Sequence, residues 1–183
     1  SQNRALNGGF EYIDADGSPY YIMRSSLFQY SSGVPVEQAI GCWVIDDKEK
    51  HSGKYSVRMT REKGMNPPSL GLWPQSLKLI DNESAVLSVY LKADQPDLPV
   101  TLYLSSGKTV VNVGTEWKRY ELKVPHIVRP PPPYSYMLRS GISFSKFGAT
   151  LWVDDLQIEV GDKATPYQPS GLDKLKCAKQ EPP

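Results

Sequence analysis

Two adjacent carboxylates, Asp154 and Asp155, interrupt a stretch that otherwise reads as a β-strand, GATLWVDDLQIEVGDKATPYQPS from Gly148 to Ser170. Leu151 and Val153 face one way and Thr150 and Trp152 the other, as a period of two demands, and Leu156 and Ile158 resume the alternation beyond the pair. Neighbouring carboxylates repel, and burying either is unfavourable unless it is paired or ligates a cation. Two readings follow. The pair forms a β-bulge with both carboxylates in water, or one Asp holds a hard cation whose oxygen ligands come from distant parts of the chain.

Catalysis would need a poised acid, base or nucleophile with a partner. The chain has two histidines, His51 in a turn and His126 before a proline-rich loop, the second reading as solvated. It has no Gly-rich phosphate loop, no paired-Cys motif and no HExxH helix, so the sequence predicts a non-enzyme.

The aromatic residues point elsewhere. Pyranose rings stack their C–H faces on Trp and Tyr, while Arg, Asn, Gln and Asp bind the hydroxyls. Tyr90, Tyr103 and Trp152 lie on the non-core side of three strands and Arg58 on that of a fourth. If these strands share the concave sheet, they line a groove for an extended chain; otherwise the rings cap the sheet or pack under residues 12–40. Trp43 and Trp73 fit core, groove edge or loop-mounted platform equally. Tyr136, with Tyr134, Tyr20 and Tyr21, offers a site at the rim instead.

The elements that would position these groups are short strands. Residues 5–11 read as a strand start with a Gly-Gly kink and Phe10 as a core anchor, and residues 12–35 as a long surface loop. Strands follow at 38–47, 51–60 (after a turn) and 69–80, where Pro74 favours an edge or bulge. The clearest are 85–94, with Leu87, Val89 and Leu91 inward, and 99–106, with Val100, Leu102 and Leu104 inward. Residues 108–124 give two strands about Gly114-Thr115, HIVRPPPPYSY a loop stiffened by four prolines, and RSGISFSKFG a strand with Ile142 and Phe144 inward.

Sixteen prolines, fourteen glycines and eleven tyrosines with hardly any helical period predict an all-β, two-sheet antiparallel sandwich. The 183 residues suffice for one domain, placed at residues 1–170, with 171–183 as a polar linker. A net charge of +1 suggests no nucleic-acid or membrane-surface partner, and no apolar run approaches spanning length. Cys42 and Cys177 form no disulfide framework. The ends of the chain read as those of a piece excised from a longer protein.

Four segments in order, NGGFE (7–11), HSGKYSVRMT (51–60), VLSVYLKAD with VGTEWKRYEL (86–94 and 113–122) and ATLWVDDLQIEVGDKATPYQPS (149–170), resemble the jelly-roll carbohydrate-binding modules. The likeness is to the xylan- and glucan-binding type of secreted glycosidases and spans roughly residues 5–170. The aromatic 12–40 segment and the proline run 130–133 depart from the pattern. The resemblance implies a jelly-roll fold and a non-catalytic module that targets an attached polysaccharide-degrading enzyme to a plant or algal glycan. It also implies a secreted, cell-surface or periplasmic setting. Modules of this kind often hold a structural calcium. Carried over, Glu11 and Asp155 would supply side-chain oxygens and the backbone carbonyls of His51 and Lys54 would complete the shell, with Gly53 permitting the tight turn. The competing expectation is a structural jelly-roll domain that packs on a neighbouring domain or partner and binds no sugar. The jelly-roll polysaccharide lyases share the fold, but their Gln-Ile-His-type strand is absent.

Overall fold

Alternation of apolar and polar residues sends one face of each long strand into a common core, and the strands pair accordingly. The computed structural model describes residues 2–13, 19, 22–24, 43–63, 67–72 and 76–175; of Met23, Arg24 and Trp43 only the backbone is described. Among these residues the strands are β1 (Ile22–Arg24), β2 (Trp43–Asp46), β3 (Ser56–Thr60), β4 (Ser69–Leu72), β5 (Ala85–Ala93), β6 (Leu98–Leu104), β7 (Gly107–Val113), β8 (Lys118–Val124), β9 (Ser140–Phe144) and β10 (Thr150–Val160), followed by a helical turn, α1 (Gly171–Leu175).

They form a two-sheet antiparallel β-sandwich. Sheet I has the order β1-β4-β9-β6-β7 and sheet II the order β2-β3-β10-β5-β8, with every neighbouring pair antiparallel. Sheet I contributes Leu70, Val100, Leu102, Leu104 and Ile142 to the core, and sheet II contributes Val57, Met59, Leu87, Val89, Leu91, Leu151 and Val153. All are fully buried, as alternation predicts. Phe10 closes one side of this core at 0 % exposure.

The structure departs from the sequence reading at three places. Residues 5–9 are turns rather than a strand start, with Asn7 and Phe10 both at φ 59°. The strand expected over 69–80 ends at Leu72, and β1 lies within the stretch expected to be loop. Within residues 171–175, expected to belong to a linker, Asp173 is buried and accepts hydrogen bonds from the amides of Gly9 and Glu11.

Candidate functional site

The Asp154-Asp155 pair does form a bulge in β10. The register with β5 shifts between Asp154 and Gln157, and Asp155 takes φ 48°. The carboxylates are not solvated, however: Asp154 is 0 % and Asp155 2 % exposed. Three backbone amides serve Asp154, those of His51 (2.9 Å) and Ser52 (3.1 Å) on Oδ2 and that of Asp155 (2.8 Å) on Oδ1. Burial and the neighbouring Asp155 charge nevertheless push its pKa up to about 9. Asp155 Oδ2 meets the His51 imidazole Nδ1 at 2.7 Å and accepts from the Ser52 hydroxyl at 2.6 Å.

Glu11 reaches the same turn from the N-terminal segment, its Oε1 accepting from the amides of Lys54 (2.8 Å) and Tyr55 (3.2 Å). Gly53, at φ 64°, is required by this approach, since a β-carbon there would stand 2.1 Å from Glu11 Oε1. Glu11, Ser52, Gly53, Lys54, Asp155, Tyr167 and Asp173 line a cavity of about 380 Å³. Burial first, then the charges of Asp173, Asp155, Asp154 and Glu11, holds the Tyr167 phenol far above its usual range. Carboxylate oxygens are the donors a hard cation takes, and those of Glu11, Asp155 and Asp173 line this recess, together with the ammonium-bearing Lys54 and Lys174. Among the described residues no three His, Cys, Asp or Glu side chains are set to hold a metal by themselves, so backbone oxygens would have to contribute. The contacts seen also differ from those carried over. His51 engages Asp155 through its imidazole, and His51 and Lys54 meet the carboxylates through their amide N–H groups.

The aromatic set does not share one sheet. Trp152 and Tyr90 lie on the outer face of sheet II with Arg58, which pairs across from Trp152. The segment joining β2 to β3 lies over this face. His51 stacks on Tyr90 at 3.6 Å between centroids and 14° between planes, and meets Trp117 edge-on at 6.0 Å. Asp46 Oδ2 accepts from the Trp152 indole at 3.0 Å and lies 3.5 Å from Arg58 Nη1, while Oδ1 accepts from the amides of Lys48 and Glu49. Burial pushes the Asp46 carboxyl up, but those amides, the indole and Arg58 outweigh it and hold it below the usual carboxylate range. Glu49 accepts from Trp117 Nε1 at 2.9 Å and pairs with Lys92 Nζ at 3.0 Å. Of the residues that the sequence reading offered to a ligand, Tyr90 is thus met by the β2–β3 segment, and Trp152 and Arg58 by Asp46 at the end of β2. Asp46 and Glu49, which organise that segment, were missed; their only sequence signal is a run of charges.

Tyr103 belongs to sheet I, which corrects the expectation of a single groove. It pairs with Gly141 on β9 and Lys108 on β7, and Gly141 pairs in turn with Gly71 on β4. With no side chain at 141, the ring lies down along the sheet: a β-carbon there would stand 2.7 Å from Tyr103 Cζ and 2.5 Å from its hydroxyl oxygen. That hydroxyl lies 3.2 Å from Ser69 Oγ. Beside the ring runs a row of paired residues, Ser69, Ser143, Thr101 and Val110, on the same outward face. One face of the ring rests on the glycine floor and the other is turned away from the sheet, with hydroxyls alongside.

Tyr136 is exposed in the loop between β8 and β9, next to the exposed Tyr134. Trp73 and the side chain of Trp43 lie outside the described residues.

No protein-family profile matches the sequence, and no curated protein matches it. Solved structures do. The fold is that of the β-sandwich carbohydrate-binding modules. TmCBM61, solved in complex with β-1,4-galactotriose, superposes with a TM-score of 0.60 at 15% identity, over 88% of this chain and 100% of that one. The CBM22-1 xylan-binding domain of Paenibacillus barcinonensis Xyn10C gives 0.54 at 17% identity, over 86% of this chain and 94% of that one. A cyclase from Fischerella sp. TAU gives 0.52 at 13% identity, over 87% of this chain and 96% of that one. The same sandwich therefore occurs both in sugar-binding modules and in an enzyme.

Proposed function

We propose that this domain is a non-catalytic carbohydrate-binding module, exported with a polysaccharide-degrading enzyme to which it is covalently attached, and that it holds that enzyme on a plant or algal glycan. The observation that carries the reading is the Tyr103 ring laid on Gly141 with Ser69, Ser143 and Thr101 beside it. A flat ring edged by hydroxyls suits the C–H face and equatorial hydroxyls of a pyranose. The sandwich shared with a module solved in complex with β-1,4-galactotriose and with a xylan-binding domain supports the same choice. Attachment to an enzyme would raise the local concentration of its substrate without any new contact.

A structural calcium belongs to this reading. The carboxylates of Glu11 and Asp155, with carbonyls of the 51–54 turn, would hold it. The ion would neutralise the recess and tie the N-terminal segment to β10.

Affinity electrophoresis against galactan, xylan and mixed-linkage β-glucan tests the proposal, with Tyr103→Ala, Trp152→Ala and a chelator lane beside the native domain. Retardation by one glycan class that Tyr103→Ala abolishes and Trp152→Ala spares is the expected result. Loss with Trp152→Ala alone would move the site to sheet II. No retardation by any glycan would favour a domain that packs on a partner.

A further inference from the structure

Cross-strand partners in an antiparallel pair stand on one face of the sheet, with their β-carbons about 5 Å apart. The partner of Tyr103 on β7 is Lys108. The Tyr103 ring runs the other way, over Gly141 of β9, and brings its hydroxyl to 3.2 Å from Ser69 Oγ on β4. Across the strands, this face therefore presents a lysine at the root of the ring, then the ring, then a serine hydroxyl at its far end. The flexible four-carbon stem of a lysine is long enough to reach the edge of a sugar stacked on that ring.

Lys108 has no counter-charge on this sheet. It is exposed, and among the described residues it makes no hydrogen bond or ion pair. β1, β4, β6, β7 and β9 contain no Asp or Glu, so every charged residue in the strands of sheet I is basic. The outer face of sheet II is the contrast. There Arg58 lies 3.5 Å from Asp46, and Lys92 lies 3.0 Å from Glu49. The protein supplies its own carboxylates beside Trp152, and the strands beside Tyr103 supply none.

We propose that the glycan seated on Tyr103 is acidic, and that Lys108 binds the uronate carboxylate or sulfate ester of the stacked unit or its neighbour. The proposal rests on the reading of Tyr103 given above and deepens it. The ring, with the hydroxyls of Ser69, Ser143 and Thr101, recognises the pyranose, and Lys108 selects among pyranoses by charge. An ammonium acts as a point charge, without the fork that fits arginine to one planar partner, so it takes carboxylate and sulfate alike. The contact is open to water, which makes its contribution modest and sensitive to salt.

Isothermal titration of the whole domain at low salt tests this. The probes are glucuronoxylan and its carboxyl-reduced form, a sulfated galactan and its desulfated form, and neutral mixed-linkage β-glucan. The acidic member of at least one pair should bind about three- to fivefold more tightly than its neutral counterpart, and which pair does so tells carboxylate from sulfate. Lys108→Gln should remove that preference without moving the thermal midpoint, and Lys108→Arg should keep it. Sodium chloride at about 0.5 M should suppress it. Equal binding of acidic and neutral forms, or a preference that survives Lys108→Gln, would overturn this inference and leave the carbohydrate reading intact. Binding by none of the five polymers would overturn the carbohydrate reading itself, and this inference with it.

Discussion

The His51 imidazole lies flat on Tyr90, 3.6 Å between ring centroids, while its Nδ1 meets Asp155 Oδ2 at 2.7 Å. One side chain thereby ties the β2–β3 segment both to the outer face of sheet II and to the bulge of β10. The contact makes Tyr90 a packing residue. His51→Ala should lower stability by about 1–2 kcal/mol, from the lost stack and the lost hydrogen bond, as read by urea denaturation. It should leave glycan binding unchanged. A variant that kept its stability and lost its sugar would return the site to this face.

The buried carboxylate beside His51 sets a pH dependence. Asp154 rises from an ordinary 3.8 to about 9, so the folded domain retains a proton that the unfolded chain has released over that interval. The folded state binds more protons there, and stability must fall as pH rises. In chelator, the urea midpoint should be highest near pH 4, decline steadily, and level off only above about pH 9. Asp154→Asn should flatten the decline. A midpoint that climbed with pH across this window would show that the amides of His51, Ser52 and Asp155 keep the group ionised.

Gly53 and the proposed cation can be tested together. A β-carbon at 53 would meet Glu11 Oε1 at 2.1 Å, and φ 64° disfavours any L side chain. Gly53→Ala should therefore cost about 1–3 kcal/mol. It should also abolish any rise in thermal midpoint that calcium gives the native domain. If calcium shifts neither protein, the recess is held by His51, Ser52 and the turn amides alone.

How much of this was legible in the sequence depended on range. Period-two alternation identified Leu87, Val89 and Leu91 as inward and Tyr90, Tyr103 and Trp152 as outward, because facing is a local property of a strand. It could not say which sheet a strand joins. β5 and β6 are consecutive and look alike, yet β5 lies in sheet II and β6 crosses to sheet I, so Tyr90 and Tyr103 part company. The bulge at Asp154-Asp155 was legible from the broken alternation. Its burial was not, because the amides of His51 and Ser52 that compensate it are a hundred residues away. The glycine floor under Tyr103 was equally hidden: Gly141 matters only once β9 is known to pair with β6.

The C-terminal boundary carries the last prediction. Ser170 and Asp173 cap α1 reciprocally: Asp173 N donates to Ser170 Oγ at 3.2 Å, and Ser170 N donates to Asp173 Oδ2 at 3.1 Å. That Ser-x-x-Asp spacing is a helix-start signal that a polar composition conceals. The same carboxylate accepts from the amides of Gly9 (3.1 Å) and Glu11 (3.3 Å), which fixes the segment that delivers Glu11 to the Gly53 turn. Burial raises the Asp173 pKa, and its hydrogen bonds with Ser170, Gly9 and Glu11 oppose the rise. Asp173→Ala leaves those buried donors unpaired, so it should cost about 1–3 kcal/mol in urea denaturation. Cutting the chain after Ser170 should cost at least as much. Asp173→Asn, which retains an acceptor, should recover part of the loss. Equal stability of the shortened and longer chains would show instead that the sandwich closes without α1, and that residues 171–175 are the linker their composition suggests.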